Sequence, residues 1–247
     1  MQAFAAALPR IRSRTASDIR RSGLSREKVL ATVVQLLEKT LIRVGNDEYA
    51  RANKSFGLTT LRDRHVEVTG SKVRFEFRGK SGKSHTIDLH NRTLARIVQR
   101  CRDLPGYELF QYVDEDGARQ VVDSADVNEY LREITGADFT AKDFRTWFGT
   151  VLAARALAEC GSHNSDTDAK RKLAHAIEAV AGVLGNTRSV CRKCYVHPAV
   201  IDAYMDQSLI DTLAQRADAA IEDGDLGPDE MAVLRFLRKR LKDQAAA

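Results

Sequence analysis

Residues 65–90 read HVEVTGSKVRFEFRGKSGKSHTIDLH, and the period of their apolar positions decides the fold. Val66 and Val68 flank Glu67, Val73, Phe75 and Phe77 alternate with Arg74 and Glu76, and His85, Ile87 and Leu89 share one side. A two-residue period is that of a strand buried on one face. Turn-forming residues interrupt it at Thr69-Gly70-Ser71 and again at Gly79–Lys83. The stretch is therefore expected to form a small three-stranded antiparallel sheet with one apolar face.

On both sides of this stretch the period lengthens to that of a helix. Residues 24–42 place Leu30, Val33, Val34, Leu37, Leu41 and Ile42 at helical spacing behind Ser25, an N-cap residue by type. Helices are expected at 91–102, at 125–135 before Gly136, at 142–160 behind Thr140-x-x-Asp143, and at 168–184 before Gly185. Two more start at Pro198 and over 228–242. Gly161–Asp168 reads as a polar, mobile linker. The expected fold is mainly α with a small three-stranded antiparallel sheet, one domain over 1–247, in which 206–247 is an acidic-to-basic helical extension.

The chain has 247 residues, 43% hydrophobic and 30% charged, enough apolar material for a core. Disordered, collagen-like and disulfide-scaffold readings are excluded. No window approaches the ~18 apolar residues of a membrane span, and the N-terminal apolar stretch precedes the basic one, the reverse of a secretory signal. The expectation is a soluble intracellular protein. The net charge of +5 is unevenly spread. Residues 1–40 carry eight basic and three acidic side chains and residues 61–100 ten and four, against six and ten in 201–247. Basic stretches beside an acidic remainder fit a polyanion-facing surface, although such runs also occur as plain solvated faces. Of the four cysteines, Cys191-x-x-Cys194 with His197 has partial zinc-ligand spacing but lacks a fourth ligand, so no metal is assigned.

RGKSGKS at 78–84 has the look of a nucleotide loop. A P-loop needs a glycine five residues before the glycine of GK[ST], and Arg74 and Phe77 stand there instead. What the segment offers is a lysine, Lys80, at the tip of a hairpin. Lys142 and Arg145 lie one turn apart in KDFRTW, and LGNTRSVCRKCYVHP at 184–198 combines an amide, three cations and a tyrosine. Arginines, a lysine, an amide and a tyrosine together have the means for phosphoryl transfer: charge stabilisation, a nucleophile and a proton donor.

IRVGNDEYARANKSFGLTTLRDRH (42–65), FRGKSGK (77–83), KDFRTW (142–147) and LGNTRSVCRKCY (184–195) together resemble the catalytic domain of type IB DNA topoisomerases, in the poxvirus-like bacterial branch. The resemblance runs from about residue 7 to about residue 205. It implies the type IB topoisomerase/tyrosine recombinase catalytic fold and a monomer acting on double-stranded DNA, with no cofactor, nucleotide or metal. It further implies Tyr195 as the nucleophile forming a 3′-phosphotyrosyl link. Arg43 and Arg145 would bind the non-bridging oxygens and Lys80 would protonate the 5′ leaving oxygen. Asn186, where many relatives carry histidine, would donate a hydrogen bond to the oxyanion. Tyr49, Lys83 and Lys142 match DNA-contacting positions. Arg188 and Cys194 depart from the proline and small residue usual in relatives. The small N-terminal β-rich domain that completes the clamp around DNA has no counterpart here, so the chain is expected to be a fragment or truncated form. Two alternatives are a tyrosine recombinase or integrase, against which Lys142-x-x-Arg145 and Asn186 speak, and a non-catalytic DNA-binding module.

Overall fold

The computed structural model describes residues 1–214 and 226–246. The chain divides into two compact units, one over 10–142 and the other over 1–9 with 143–247.

The 10–142 unit is built on helix α2 (Arg26–Thr40). Ser25 caps it, its side chain accepting from the Lys28 N–H. Val29, Leu30, Val33, Val34, Leu36 and Leu37 are sealed from solvent on several sides, so α2 is a central helix and not a surface one. Burying each such side chain contributes about 1.5–3 kcal/mol. It packs against α4 (Arg92–Arg102) and α5 (Ser124–Thr135). The helical period continues to Ile42, but the helix stops at Thr40, because Leu41 adopts the left-handed conformation at φ 54°. The Thr40 hydroxyl accepts from the Ile42 N–H at 3.3 Å, and the chain leaves the helix axis at Leu41, two residues before Arg43.

The sheet forms as its alternation requires. Strands β1 (Val66–Thr69), β2 (Lys72–Arg78) and β3 (Ser84–His90) pair antiparallel in sequence order. Phe75 opposes Val66 and Ile87, and Val73 opposes Val68 and Leu89. Val73, Phe75 and Phe77 are buried, and α4 packs on β1 and β2. On β2 and β3 Lys72 and Arg74 both pair with Asp88. Elements the periodicity did not single out include the 17-residue helix α1 (Gln2–Asp18), the short helix α3 (Asp47–Asn53) and the hairpin β4 (Gln111–Val113) and β5 (Arg119–Val121). The helix α3 and the hairpin are too short for a periodic signal.

The second unit contains the N-terminal turns of α1 (Gln2–Asp18), whose last half belongs to the first unit. With them are most of α6 (Ala141–Cys160) and all of α7 (Asp166–Leu184), α8 (Arg188–Cys194), α9 (Pro198–Met205), α10 (Ser208–Ala214) and α11 (Pro228–Ala246). The core includes Trp147, which donates from Nε1 to Glu230 at 3.0 Å, and Phe144, set edge-on to Phe4 at 5.0 Å. Phe148, next to Trp147, is only half-buried. The segment expected to be a mobile linker is instead tied down. His163 is 7% exposed and its Nε2 meets the Tyr204 carbonyl at 3.1 Å, while the Tyr204 hydroxyl donates to the Gly161 carbonyl. Polar composition misled here because the polar groups are satisfied internally. The helical extension expected over 206–247 is described at 208–214 and 228–246, and residues 215–225 and 247 lie outside the described residues.

Candidate active site

The sequence candidates fall into both units: Arg43, Tyr49, Lys80, Lys83 and Lys142 in 10–142, and Arg145, Asn186 and Tyr195 in the other.

In the first unit Arg43 is half-buried on an extended segment beyond α2. A loop at 55–60 holds that segment. The Leu58 N–H donates to the Arg43 carbonyl at 2.8 Å and the Thr59 N–H to the Val44 carbonyl at 2.7 Å. The same loop reaches the hairpin, the Phe56 N–H donating to the Arg78 carbonyl at 2.7 Å. One loop thus ties the backbone of Arg43 to the end of β2, two residues from Lys80. Gly57 makes this approach possible. A Cβ there would lie 2.6 Å from the Arg43 carbonyl oxygen and 2.6 Å from the Gly45 nitrogen.

Lys80 is exposed in a single 3-10 turn, Lys80–Gly82, and its Nζ stands 6.0 Å from the centroid of the Tyr49 ring. Its neighbour Ser81 is left-handed at φ 62°, a conformation costing a non-glycine residue about 1–2 kcal/mol. Tyr49 sits in α3, which starts with the Asn46 side chain accepting from the Tyr49 N–H. Lys83 and Lys142 are exposed. Arg145, by contrast, is 4% exposed, so the two cations of KDFRTW do not share an environment. His65 accepts at Nδ1 from the Arg62 N–H at 3.0 Å, and burial, with Arg64 and Arg62 nearby, pushes its pKa down to about 4. It is a neutral packing residue.

In the second unit Arg145 projects from α6 and donates from Nη2 to the Leu184 carbonyl at 2.8 Å. That carbonyl is one of those a helix C-terminus leaves unused. Gly185, left-handed at φ 61°, ends α7 with two reversed bonds, Gly185 N–H to the Gly182 carbonyl and Asn186 N–H to the Ala181 carbonyl. This is the Schellman arrangement, and it turns the chain so that Asn186 is 9% exposed. Thr187 then caps α8 by accepting from the Val190 N–H. Tyr195 follows the last turn of α8, half-buried, with its ring 5.0 Å from the Arg145 guanidinium carbon. A cation over a phenol face is attractive and keeps the ring from swinging. Arg145 thus reaches both the Tyr195 ring at the end of α8 and the carbonyl two residues before Asn186, in the α7–α8 turn. Tyr204, the other tyrosine of this region, is 1% exposed with its hydroxyl engaged, and cannot reach a substrate.

The family profile described as "Eukaryotic DNA topoisomerase I, catalytic core" matches residues 1–220. The chain belongs to the type IB topoisomerases. It is 29% identical over 210 residues to the DNA topoisomerase 1B of Acanthamoeba polyphaga mimivirus, covering 82% of this chain and 62% of that protein. It is 23% identical over 202 residues to the DNA topoisomerase 1B of vaccinia virus (strain Copenhagen), covering 80% and 60%. The DNA topoisomerase 1 of rabbit fibroma virus (strain Kasza) is 24% identical over 188 residues, 73% of this chain and 56% of that one. The chain spans about three fifths of the length of these relatives. Its mainly helical fold with one small three-stranded sheet is that of the type IB catalytic core.

Within this type IB core Cys191 and His197 serve packing and capping. Cys191 is buried, which pushes its pKa up to about 11, whereas Cys194 is exposed. His197 accepts at Nδ1 from the Ala199 N–H and so caps α9, and burial lowers its pKa. Among the described residues no group of three or more His, Cys, Asp or Glu side chains could hold a metal ion. No helix among them is long and apolar enough to cross a membrane. Residue-type reasoning passed over the loop that positions Arg43. Its signal lay in Gly57-Leu58-Thr59-Thr60, but only pairing with a segment fifteen residues earlier gives those residues meaning.

Proposed function

We propose that this chain carries the strand-cleaving and rejoining chemistry of a type IB DNA topoisomerase, with duplex DNA as its substrate. The observation that carries the reading is the buried Arg145 guanidinium lying over the ring of Tyr195. A phenol is a poor nucleophile unless charge is stabilised beside the phosphorus it attacks.

On this reading the Tyr195 Oη forms a bond to phosphorus and its proton is released, while the bond from phosphorus to the 5′ oxygen breaks. Arg43 and Arg145 hold the non-bridging oxygens, a task the planar guanidinium fork suits. Asn186 adds a donor to the same oxygens but transfers no proton. Lys80, carried at the end of a hairpin, protonates the departing 5′ oxygen. The phosphotyrosine retains the energy of the original diester, so the 5′ hydroxyl can reverse the step after the duplex has rotated. Tyr49 orients Lys80, and Lys83 and Lys142 meet the DNA backbone.

Incubation with supercoiled plasmid in EDTA without ATP tests the reading. Relaxed topoisomers and a covalent protein–DNA adduct are expected, both lost in Tyr195→Phe. Relaxation by the Phe variant would refute the role of Tyr195. Site-specific joining of separate duplexes without relaxation would identify a recombinase, and DNA binding without any adduct a non-catalytic module.

A further inference from the structure

Tyr195 is the first residue beyond α8, with φ −128° and ψ −8°, outside the helical range. Helical hydrogen bonding therefore holds it from one side only, through its own N–H to the Cys191 carbonyl at 3.0 Å. The other side is held by α6. Thr150, fully buried, accepts the His197 N–H on its Oγ1 at 3.1 Å, two residues past Tyr195. The Thr150 hydroxyl lies 2.9 Å from the Thr146 carbonyl and 3.3 Å from the Tyr195 carbonyl. It has one proton, and the shorter contact takes the larger share of it. The firm tie to the nucleophile segment is thus the bond accepted from His197, with the Tyr195 carbonyl as a weaker second hold.

Gly149, the residue before it, lets α6 come this near. A Cβ at Gly149 would stand 2.7 Å from the Tyr195 carbonyl oxygen and 3.2 Å from the Tyr195 Cβ. Neither atom is the end of a flexible side chain, so an added methyl must push the tyrosine's backbone. Arg145 stands on the same helix, little more than one turn before Thr150.

We propose that Thr150, admitted by Gly149, is a positioning residue for the nucleophile: it locks the backbone on the C-terminal side of Tyr195 to the helix that carries Arg145. The proposal rests on the assignment of Tyr195 as nucleophile. Its function is to keep phenol and guanidinium in one register, since misplacing a reacting group by about 1 Å costs on the order of 10²-fold in rate.

Single-turnover cleavage of a nicked duplex whose short leaving fragment, ending in the new 5′ hydroxyl, dissociates reads the rate of adduct formation. DNA affinity is measured separately on an intact duplex and folding by thermal melting. Thr150→Val keeps the shape and removes both bonds. It is expected to slow adduct formation on the order of 10²-fold with affinity within about twofold, and Thr150→Ser, which restores the hydroxyl, to recover most of the rate. Gly149→Ala replaces glycine by a better helix former, so it tests the steric part without weakening α6; a comparable loss of rate is expected. Val cleaving at the parental rate, Ser failing to recover it, or affinity falling in step with the rate would each overturn the proposal. Should Thr150→Val not fold, Gly149→Ala decides, and parental cleavage by that variant overturns it. Tyr195→Phe run alongside separates the two levels. An active Phe variant, or a parental chain forming no adduct, defeats the nucleophile assignment and the positioning role with it. An inactive Phe variant beside an unaffected Thr150→Val defeats only the positioning role.

Discussion

Gly57→Ala tests the loop that ties Arg43 to the Lys80 hairpin. The glycine is extended, φ −142° and ψ −179°, so alanine meets no backbone strain and any effect is steric. Its Cβ would lie 2.6 Å from the Arg43 carbonyl oxygen, 2.6 Å from the Gly45 nitrogen and 2.7 Å from the Gly45 Cα. Relief to an ordinary 3.4 Å contact requires the Arg43–Gly45 segment to retreat by roughly 0.8 Å. Retreat stretches the bonds at 2.8 Å and 2.7 Å that Leu58 and Thr59 donate to it. Overpacking against backbone costs about 1–3 kcal/mol. On the proposed role of Arg43, a displacement of this size costs on the order of 10²-fold in rate. Thermal melting should therefore show a lowered midpoint. Single-turnover cleavage should slow by about two orders of magnitude, while DNA affinity, dominated by other cations, changes little. Parental cleavage in a variant with a lowered midpoint would refute the claim that the loop positions Arg43. An unchanged midpoint and rate together would mean that the segment gives way freely.

Lys80→Ala should slow cleavage of ordinary DNA by about 10²–10⁴-fold, and far less on a duplex whose 5′ leaving oxygen is sulfur, because a thiolate departs unprotonated; equal losses on both duplexes would remove Lys80 from the general-acid role. His65 is held neutral, its pKa about 4 against an ordinary ~6.5. The unfolded chain therefore binds this proton first as pH falls, and the fold loses stability between about pH 6.5 and 4. His65→Asn keeps an acceptor for the Arg62 N–H without titrating, and melting across that window should show a flatter pH dependence; an unchanged profile would exonerate His65. Log affinity for duplex DNA should fall linearly with log salt, and Lys83→Ala should flatten the slope by about 0.9 if Lys83 meets a phosphate; an unaltered slope would place it away from the DNA.

Periodicity alone was enough for the sheet at 66–90 and for most of the long helices, because burying one face of a strand or helix imposes its repeat on the chain locally. Boundaries that depend on a single residue's neighbours escaped it. The helical pattern runs through Ile42, yet Leu41 turns left-handed and stops α2 at Thr40. Gly161–Asp168 has the composition of a mobile linker, yet His163 is buried against Tyr204. The site divides the same way. Residue types and the family resemblance were enough to nominate Arg43, Lys80, Arg145, Asn186 and Tyr195, since each chemical task admits few side chains. Only the folded chain assigns their environments: Arg145 sealed over the Tyr195 ring while Lys142, one turn earlier, is exposed, and Gly57 and Gly149 empty at Cβ because another backbone passes there. Side-chain chemistry and local period are properties of short stretches. Close approach between segments far apart in the chain belongs to the packing, and no single stretch encodes it.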